Sequence, residues 1–466
     1  MKDKIDRRDF LKRLGIGVSV TGLTLAGCDS SPRNTAGGAT GSTDVPTGKM
    51  TYRVNPKTGE KVSLLGYGCM RWPMKENPNG DGEIIDQEAV NGLVDYAIAH
   101  GVNYFDTAPP YVRGLSEEAT GIALSRHPRE SYYLATKMSN HHLARTGMQG
   151  KELYDASVAM YRNSLDKLKT DYLDYYLLHN LGGETGLPFL KQRFFDSGVL
   201  DFVRRERDAG RIRNLGFSYH GDVKVFDYML SLHDEIHWDF VQIQLNYVDY
   251  RHASGMNFNA EYLYNELARR KIPAVIMEPL LGGRLASLTD HLNGILKQHA
   301  PEASIASWAF RFAGSFPGVL TVLSGMTYKE HLEDNLRTYS PLKTLDKDEF
   351  DMLERIAVEM TRFPSVPCTA CEYCMPCPYG IDIPRIFSHY NKCINEGNMP
   401  SSSQDENYRQ ARRAFLIGYD RTVPKLRQAS HCIGCNQCAP HCPQSIDIPL
   451  QLQRIDQYVE SLKQHV

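Results

Sequence analysis

Eight of the eleven cysteines fall in two short arrays, "CTACEYCMPCP" from Cys368 and "CIGCNQCAPHCP" from Cys432. The second array has the spacing C-x2-C-x2-C-x3-C-P, in which three closely spaced thiolates take three corners of an iron–sulfur cube while the chain turns away before the fourth. The first array is one residue short, because two residues rather than three separate Cys374 from Cys377. Where two such runs share a domain, the fourth cysteine of each run serves the other cluster, so this gap has no local ring to close. The predicted ligand sets are therefore crossed: Cys368, Cys371 and Cys374 with Cys442, and Cys432, Cys435 and Cys438 with Cys377, each for a [4Fe–4S] cluster. Zinc is the competing reading, since C-x2-C pairs also build zinc sites. Two quartets, each with a proline after its fourth cysteine, favour clusters. "CPYGIDIP" returns as "CPQSIDIP", which implies two equivalent halves, each opening a helix at its last proline. Cys393, in a helical pattern between the arrays, reads as a packing residue.

A second set of polar residues recurs at the ends of apolar runs upstream. Candidate strands are "VSLLGYGCM", "VNYFDTA", "SYYLATKM", "DYLDYYLLHN", "IRNLGFSYHG", "DFVQIQLNY", "IPAVIMEPL" and "GVLTVLSG", separated by amphipathic helical stretches such as "QEAVNGLVDYAIAHG". Eight βα units in about 290 residues predict an α/β fold of the (β/α)8 TIM barrel type. The runner-up, a doubly wound open sheet, lacks its glycine-rich fingerprint, since "GYGCMR" after the first strand is not G-x-G-x-x-G. Asp106, Lys137, His179, Ser218, Gln242, Glu278 and Ser324 lie at strand ends, where a barrel gathers its active site.

The run "NYFDTAPPYVRGLSEEATGIAL" resembles the aldo/keto reductase family. "LATKM", "DYYLLHN", "LGFSYHG" and "LSGM" with "HLEDNL" follow in matching order, so the resemblance spans residues 52–340. It implies carbonyl/alcohol oxidoreduction by a tetrad of Asp106, Tyr111, Lys137 and His179. Physical chemistry supports the same four. A phenol with a pKa near 10 is a slow proton donor at neutral pH. A buried lysine beside it is expected to lower that pKa, with Asp106 holding the lysine and His179 polarising the carbonyl oxygen. The resemblance further implies a nicotinamide cofactor, NADP, gripped by Ser218, by Gly282 and Gly283 of "PLLGG", and by Ser324, Gly325, Lys329 and Asn335 of "SGMTYKEHLEDN". Lys329 would meet a 2′-phosphate, or else is a solvated lysine at a helix start. The fifth strand departs from the family by following Ser218 with Tyr219 rather than asparagine. Gln242, Gln244 and Asn246 share one strand face by period two, and the sequence leaves open which of them meets a carboxamide. Cys69, Met70 and Arg71 read as pocket lining, with simple packing as the alternative for the cysteine. The motif "CEYCMPCP" resembles the signature of aldo/keto reductases that carry a C-terminal two-cluster ferredoxin-like domain.

The 466 residues carry a formal net charge of −2, which gives no reason to expect a nucleic-acid partner. "DRRDFLKRL", with Arg7 and Arg8 ahead of an apolar run too short to span a bilayer, resembles a twin-arginine export signal. "LAGC" resembles a lipoprotein processing box with Cys28 as its lipidated residue, the alternative being an amphipathic helix with a chance cysteine. Serine, glycine and threonine dominate the following stretch, as in a flexible tether. The predicted organisation is a signal over 1–28, a linker over 29–50, the barrel over 51–345 and a mainly helical ferredoxin-like domain over 346–466. Export of a folded protein to the periplasmic side, with a lipid anchor, suits clusters that must be loaded before reaching an oxidising compartment. Function is expected to be carbonyl or alcohol oxidoreduction, with the clusters relaying electrons to or from an unidentified partner. Free NADPH is not expected in that compartment, so a tightly held nicotinamide, a flavin or quinone partner, or direct transfer from substrate to cluster must reconcile hydride with single electrons. The alternative is a redox-sensing or binding module with mainly structural clusters.

Overall fold

The computed structural model describes residues 45–80, 82–183, 186–254, 257–361, 365–400, 402 and 404–464. The export motif, Cys28 and most of the linker lie outside the described residues. Among those described, eight parallel strands close into a barrel: β1 (Leu65–Gly68), β2 (Tyr104–Asp106), β3 (Tyr133–Met138), β4 (Leu173–Leu181), β5 (Ile212–Tyr219), β6 (Phe240–Gln244), β7 (Ala274–Met277) and β8 (Val319–Ser324). Each pairs with the next in chain order, and β8 closes on β1. All nine residues of β4 are buried, as expected of a parallel strand covered on both faces. The predicted first strand divides. Lys61–Ser63 pairs antiparallel with Tyr52–Val54, and Val62 joins Tyr104, Ala135, Tyr175, Leu177, Phe240, Val275, Leu320 and Leu323 in the barrel's inner core.

That inner core explains the position of the polar strand ends. Side chains on one face of a strand recur every second residue. Tyr104 is followed by Asp106, Ala135 by Lys137, Leu177 by His179 and Phe240 by Gln242, so an apolar layer in the interior becomes a polar layer one pleat further toward the C-terminal ends.

Helices surround the barrel, among them α1 (Gln87–Ala99), α2 (Ser116–Leu124), α3 (Gly150–Leu168), α4 (Val199–Asp208), α5 (Val223–Ser231), α6 (Ala260–Arg269), α7 (Ile305–Gly314) and α8 (Lys329–Tyr339). The expected boundary at 345/346 does not coincide with a change of core. Met352, Leu353, Ile356 and Ala357 of α9 (Lys347–Thr361) pack into the barrel's outer core. A separate apolar core begins at Val366 and is built on α10 (Ile383–Asn395), α11 (Tyr408–Thr422) and α12 (Ile448–Gln464). The sequence repeat has its structural counterpart here. Asp382 caps α10 by accepting from Arg385 N, and Asp447 accepts from Leu450 N at the start of α12. Cys393 is buried in α10.

Gly121 lets α2 and α3 approach closely, since a Cβ there would lie 2.2 Å from the Lys167 carbonyl oxygen. Alanine ordinarily favours a helix interior over glycine, but here the clash with backbone decides the sign. Gly121→Ala is expected to lower stability by about 1–3 kcal/mol, read from chemical denaturation.

Candidate active site

Strands β2 and β3 place Asp106 in register with Ala135, so the carboxylate lies beside the inward-facing Lys137. Lys137 Nζ donates to Asp106 Oδ1 at 2.5 Å and to the Thr107 carbonyl at 2.7 Å, with both side chains buried. Burial pushes the ammonium down and the carboxyl up, while their mutual attraction opposes both shifts. Tyr111 sits on the turn after β2, and its ring lies beneath the ammonium, 4.7 Å from Nζ to the ring centroid. The sequence led us to expect a lowered phenol pKa. Instead burial raises it, reinforced by Tyr373, Asp106 and Glu278, because Nζ is directed to Asp106 and Thr107 while its charge faces the ring.

His179 ends the inward row of β4, edge-on to Tyr111 with centroids 6.0 Å apart. Burial, with help from His141, Lys137, His220 and Arg193, holds it well below the usual imidazole range. It is therefore neutral at pH 7. Ser139 Oγ lies 2.5 Å from Nδ1. With that hydroxyl donating, Nδ1 accepts and Nε2 carries the proton toward the barrel mouth. Arg193, itself buried, donates to the His179 carbonyl at 2.6 Å and fixes the strand end. Ser139 was absent from the sequence reading. It lies two residues beyond Lys137, and nothing marks one serine there from any other.

The three carboxamides of β6 and the loop after it now separate. Gln244 and Asn246 both donate to Asp249, and Asn246 also caps Val248 N and Asp249 N. Gln242 is buried with its Oε1 unpartnered, so it has an acceptor open to a ligand amide. Ser218 Oγ accepts from Asn180 N at 2.9 Å, and Ser324 Oγ accepts from Asn335 Nδ2 at 2.9 Å. Lys329 is exposed, stacking over Tyr96 and 3.4 Å from Glu333. Two of the three loop glycines meet protein, while a Cβ on Gly283 would meet nothing within 4 Å. A Cβ on Gly282 would lie 2.3 Å from Thr369 Cα, and one on Gly325 would lie 2.6 Å from Arg71 Cγ. Arg71 in turn donates to the Thr369 and Ala370 carbonyls at 2.6 and 3.1 Å. The grip expected at Gly282 is thus filled by Thr369 of the first cysteine array, whereas the Gln242 end fits a carboxamide.

Cys368, Cys371, Cys374 and Cys442 line one cavity together with Ile383, Phe387, Gln444 and Ile448. Cys442 thus joins the first array, as the crossed assignment requires. Cys438 feels the thiols of Cys377, Cys432 and Cys435, which brings the second set together. Backbone N–H groups are directed at the sulfurs: Ala370 N to Cys368 Sγ at 3.3 Å, Tyr373 N to Cys371, and Gln444, Ser445 and Ile446 to Cys442. Burial pushes Cys368 up to about 11 and Cys371 up to about 12, so a group needing thiolates here must bring positive charge. Among the described residues, no three His, Cys, Asp or Glu side chains form a group able to hold a single metal ion.

Residues 64–358, more than half the chain, match the family described as the aldo/keto reductase family. The chain belongs to the aldo/keto reductase family. The match stops before the first cysteine array. L-galactose dehydrogenase of Arabidopsis thaliana is 25% identical over 332 residues, covering 66% of this chain and 94% of that protein. The uncharacterized oxidoreductase YqkF of Bacillus subtilis is 26% identical over 310 residues, covering 63% and 92%. Two solved structures share the fold, each covering 66% of this chain. Aldo-keto reductase AKR11C1 of Bacillus halodurans has a TM-score of 0.50 at 19% identity over 96% of its chain. An aldo-keto reductase of Klebsiella pneumoniae in complex with NADPH has a TM-score of 0.50 at 23% identity over 95% of its chain. The protein is accordingly an oxidoreductase of aldo/keto reductase type.

Buried and half-buried imidazoles contribute to the acid sensitivity of this aldo/keto reductase. Burial lowers His220 to about 4, and His141 and His179 are also held down. The unfolded chain protonates these groups below about pH 6.5 while the fold keeps them neutral, so the stability they contribute falls as pH drops from there toward 4. Urea midpoints measured across that interval are expected to decline, and His220→Gln to flatten the decline.

Proposed function

We propose that this aldo/keto reductase interconverts a carbonyl and an alcohol, with Tyr111 as general acid and base, and that its two cysteine sets hold [4Fe–4S] clusters. The observation that carries the reading is the buried Asp106–Lys137 pair set against the Tyr111 ring, with neutral His179 alongside. In reduction, Tyr111 gives its proton to the developing alkoxide, and Lys137 stabilises the phenolate left behind. Asp106 holds Lys137 in place, and His179 Nε2 polarises the oxygen. Gln242 would hold the carboxamide of a nicotinamide, NADP, with Ser218, Ser324, Gly325, Lys329 and Asn335 as the remaining candidates at the mouth. The chemistry such a cofactor supplies when bound is hydride exchange.

Cys368, Cys371, Cys374 and Cys442 would hold one cluster, and Cys432, Cys435, Cys438 and Cys377 the other. Support comes from the shared cavity and the N–H groups aimed at the sulfurs. Bound clusters supply one-electron transfer, here between the barrel and an external partner. The twin-arginine and lipoprotein-like motifs support a lipid-anchored protein on the periplasmic side.

Tyr111→Phe is expected to cut kcat for carbonyl reduction by roughly 10²–10⁴-fold with little change in KM. Unchanged turnover on every active carbonyl or alcohol would sink the role given to Tyr111. For the clusters, Cys368→Ala/Cys442→Ala is expected to keep about half of the iron and sulfide of anaerobically purified protein, since both residues serve one site of four irons. Loss of nearly all the iron, matching Cys368→Ala/Cys432→Ala, would show that the sets are not crossed. Zinc without sulfide would replace the cluster reading altogether.

A further inference from the structure

Tyr373 lies between Cys371 and Cys374, yet its side chain leaves the cysteine cavity and enters the barrel mouth. Its phenol lies beside that of Tyr111. Its hydroxyl oxygen stands 3.5 Å from His179 Nε2. The ring is edge-on to His179 with centroids 6.3 Å apart, and it tilts over His141 at 6.2 Å.

The chemistry proposed for the barrel requires a substrate oxygen within reach of both the Tyr111 hydroxyl and His179 Nε2. In this structure the oxygen at that point belongs to Tyr373. We infer that Tyr373 is a fifth active-site residue, whose phenol occupies the carbonyl-oxygen position of the resting site and is displaced by the substrate's own oxygen. The inference rests on the carbonyl/alcohol reading of the barrel.

The surroundings fit a residue aimed rather than merely packed. The turn that carries it is preceded by Ala370 and Glu372, both with left-handed backbone at φ 50° and 64°, a conformation that costs non-glycine residues energy and persists where the surrounding structure imposes it. The chain before it is anchored to the barrel by Arg71 at the Thr369 and Ala370 carbonyls and by the approach of Thr369 to Gly282. Glu372 is exposed. Displacement therefore needs only rotation of the Tyr373 side chain or movement of the turn, with the anchored segment staying in place.

The test combines footprinting with turnover on the full, anaerobically purified chain. Diethyl pyrocarbonate modifies accessible neutral imidazoles, and peptide mass spectrometry reads its rate at His179 against His291, whose side chain is 69% exposed. In the wild type, His179 is expected to be protected. Tyr373→Ala is expected to speed its modification by about tenfold or more, with iron and sulfide content unchanged. Wild-type His179 reacting as fast as His291, or no change in Tyr373→Ala, would overturn the inference. Tyr373→Phe keeps the ring and decides the matter if the alanine variant loses iron. Without a competing phenol oxygen, kcat/KM for 4-nitrobenzaldehyde with NADPH rises, whereas a fall like that of Tyr111→Phe overturns the displacement. Absence of turnover in every form, with the footprint as expected, overturns the reductase reading and supports the placement of Tyr373.

Discussion

An ammonium group held without water at the centre of the barrel mouth needs an opposite charge within contact distance, because an unpaired buried ion costs several kcal/mol. Lys137 meets this requirement through Asp106 and the Thr107 carbonyl. That pairing depends on the β2–β3 register, which sets Asp106 opposite Ala135, one pleat below Lys137 on the neighbouring strand. A slip of one residue would turn either side chain outward. The placement of Tyr111 beneath the ammonium, and of His179 beside Tyr111, follows from the same closed ring of strands.

The cysteine region works on this pair from above. Arg71 and Gly282 bring its first segment down onto the mouth, and Tyr373 completes the cover. Removing water strengthens every interaction within the site and raises the cost of each unmatched charge. This accounts for the opposed shifts of Lys137 and Asp106 and for the high phenol of Tyr111. The segment that closes the barrel also presents Cys368 and Cys371 to their cavity, so the barrel mouth and the cysteine cavity share one stretch of chain.

Much of this was legible in the residues. Apolar runs ending in Asp106, Lys137 and His179 marked strands and their polar ends, because a two-residue period carries the inner face straight from core to mouth. The short gap before Cys377 pointed to crossed cysteine sets, and Cys442 does line the cavity of the first array. The direction of the Tyr111 shift came out opposite to expectation, since proximity to a cation says nothing about which part of the ring it faces. Ser139 and Tyr373 were missed. The first is an unremarkable serine two residues from a lysine, and the second lies 194 residues from the histidine it approaches.

By itself the sequence determined the barrel and its polar row, because those properties follow from periodicity along the chain. Tertiary structure decided the rest. It separated Gln242 from Gln244 and Asn246 by giving the latter two partners in Asp249. It assigned α9 to the barrel, filled the Gly282 cradle with Thr369 and put the phenol of Tyr373 between Tyr111 and His179. Each of these is a contact between segments distant in sequence, and no local pattern encodes which groups meet once the chain has closed on itself.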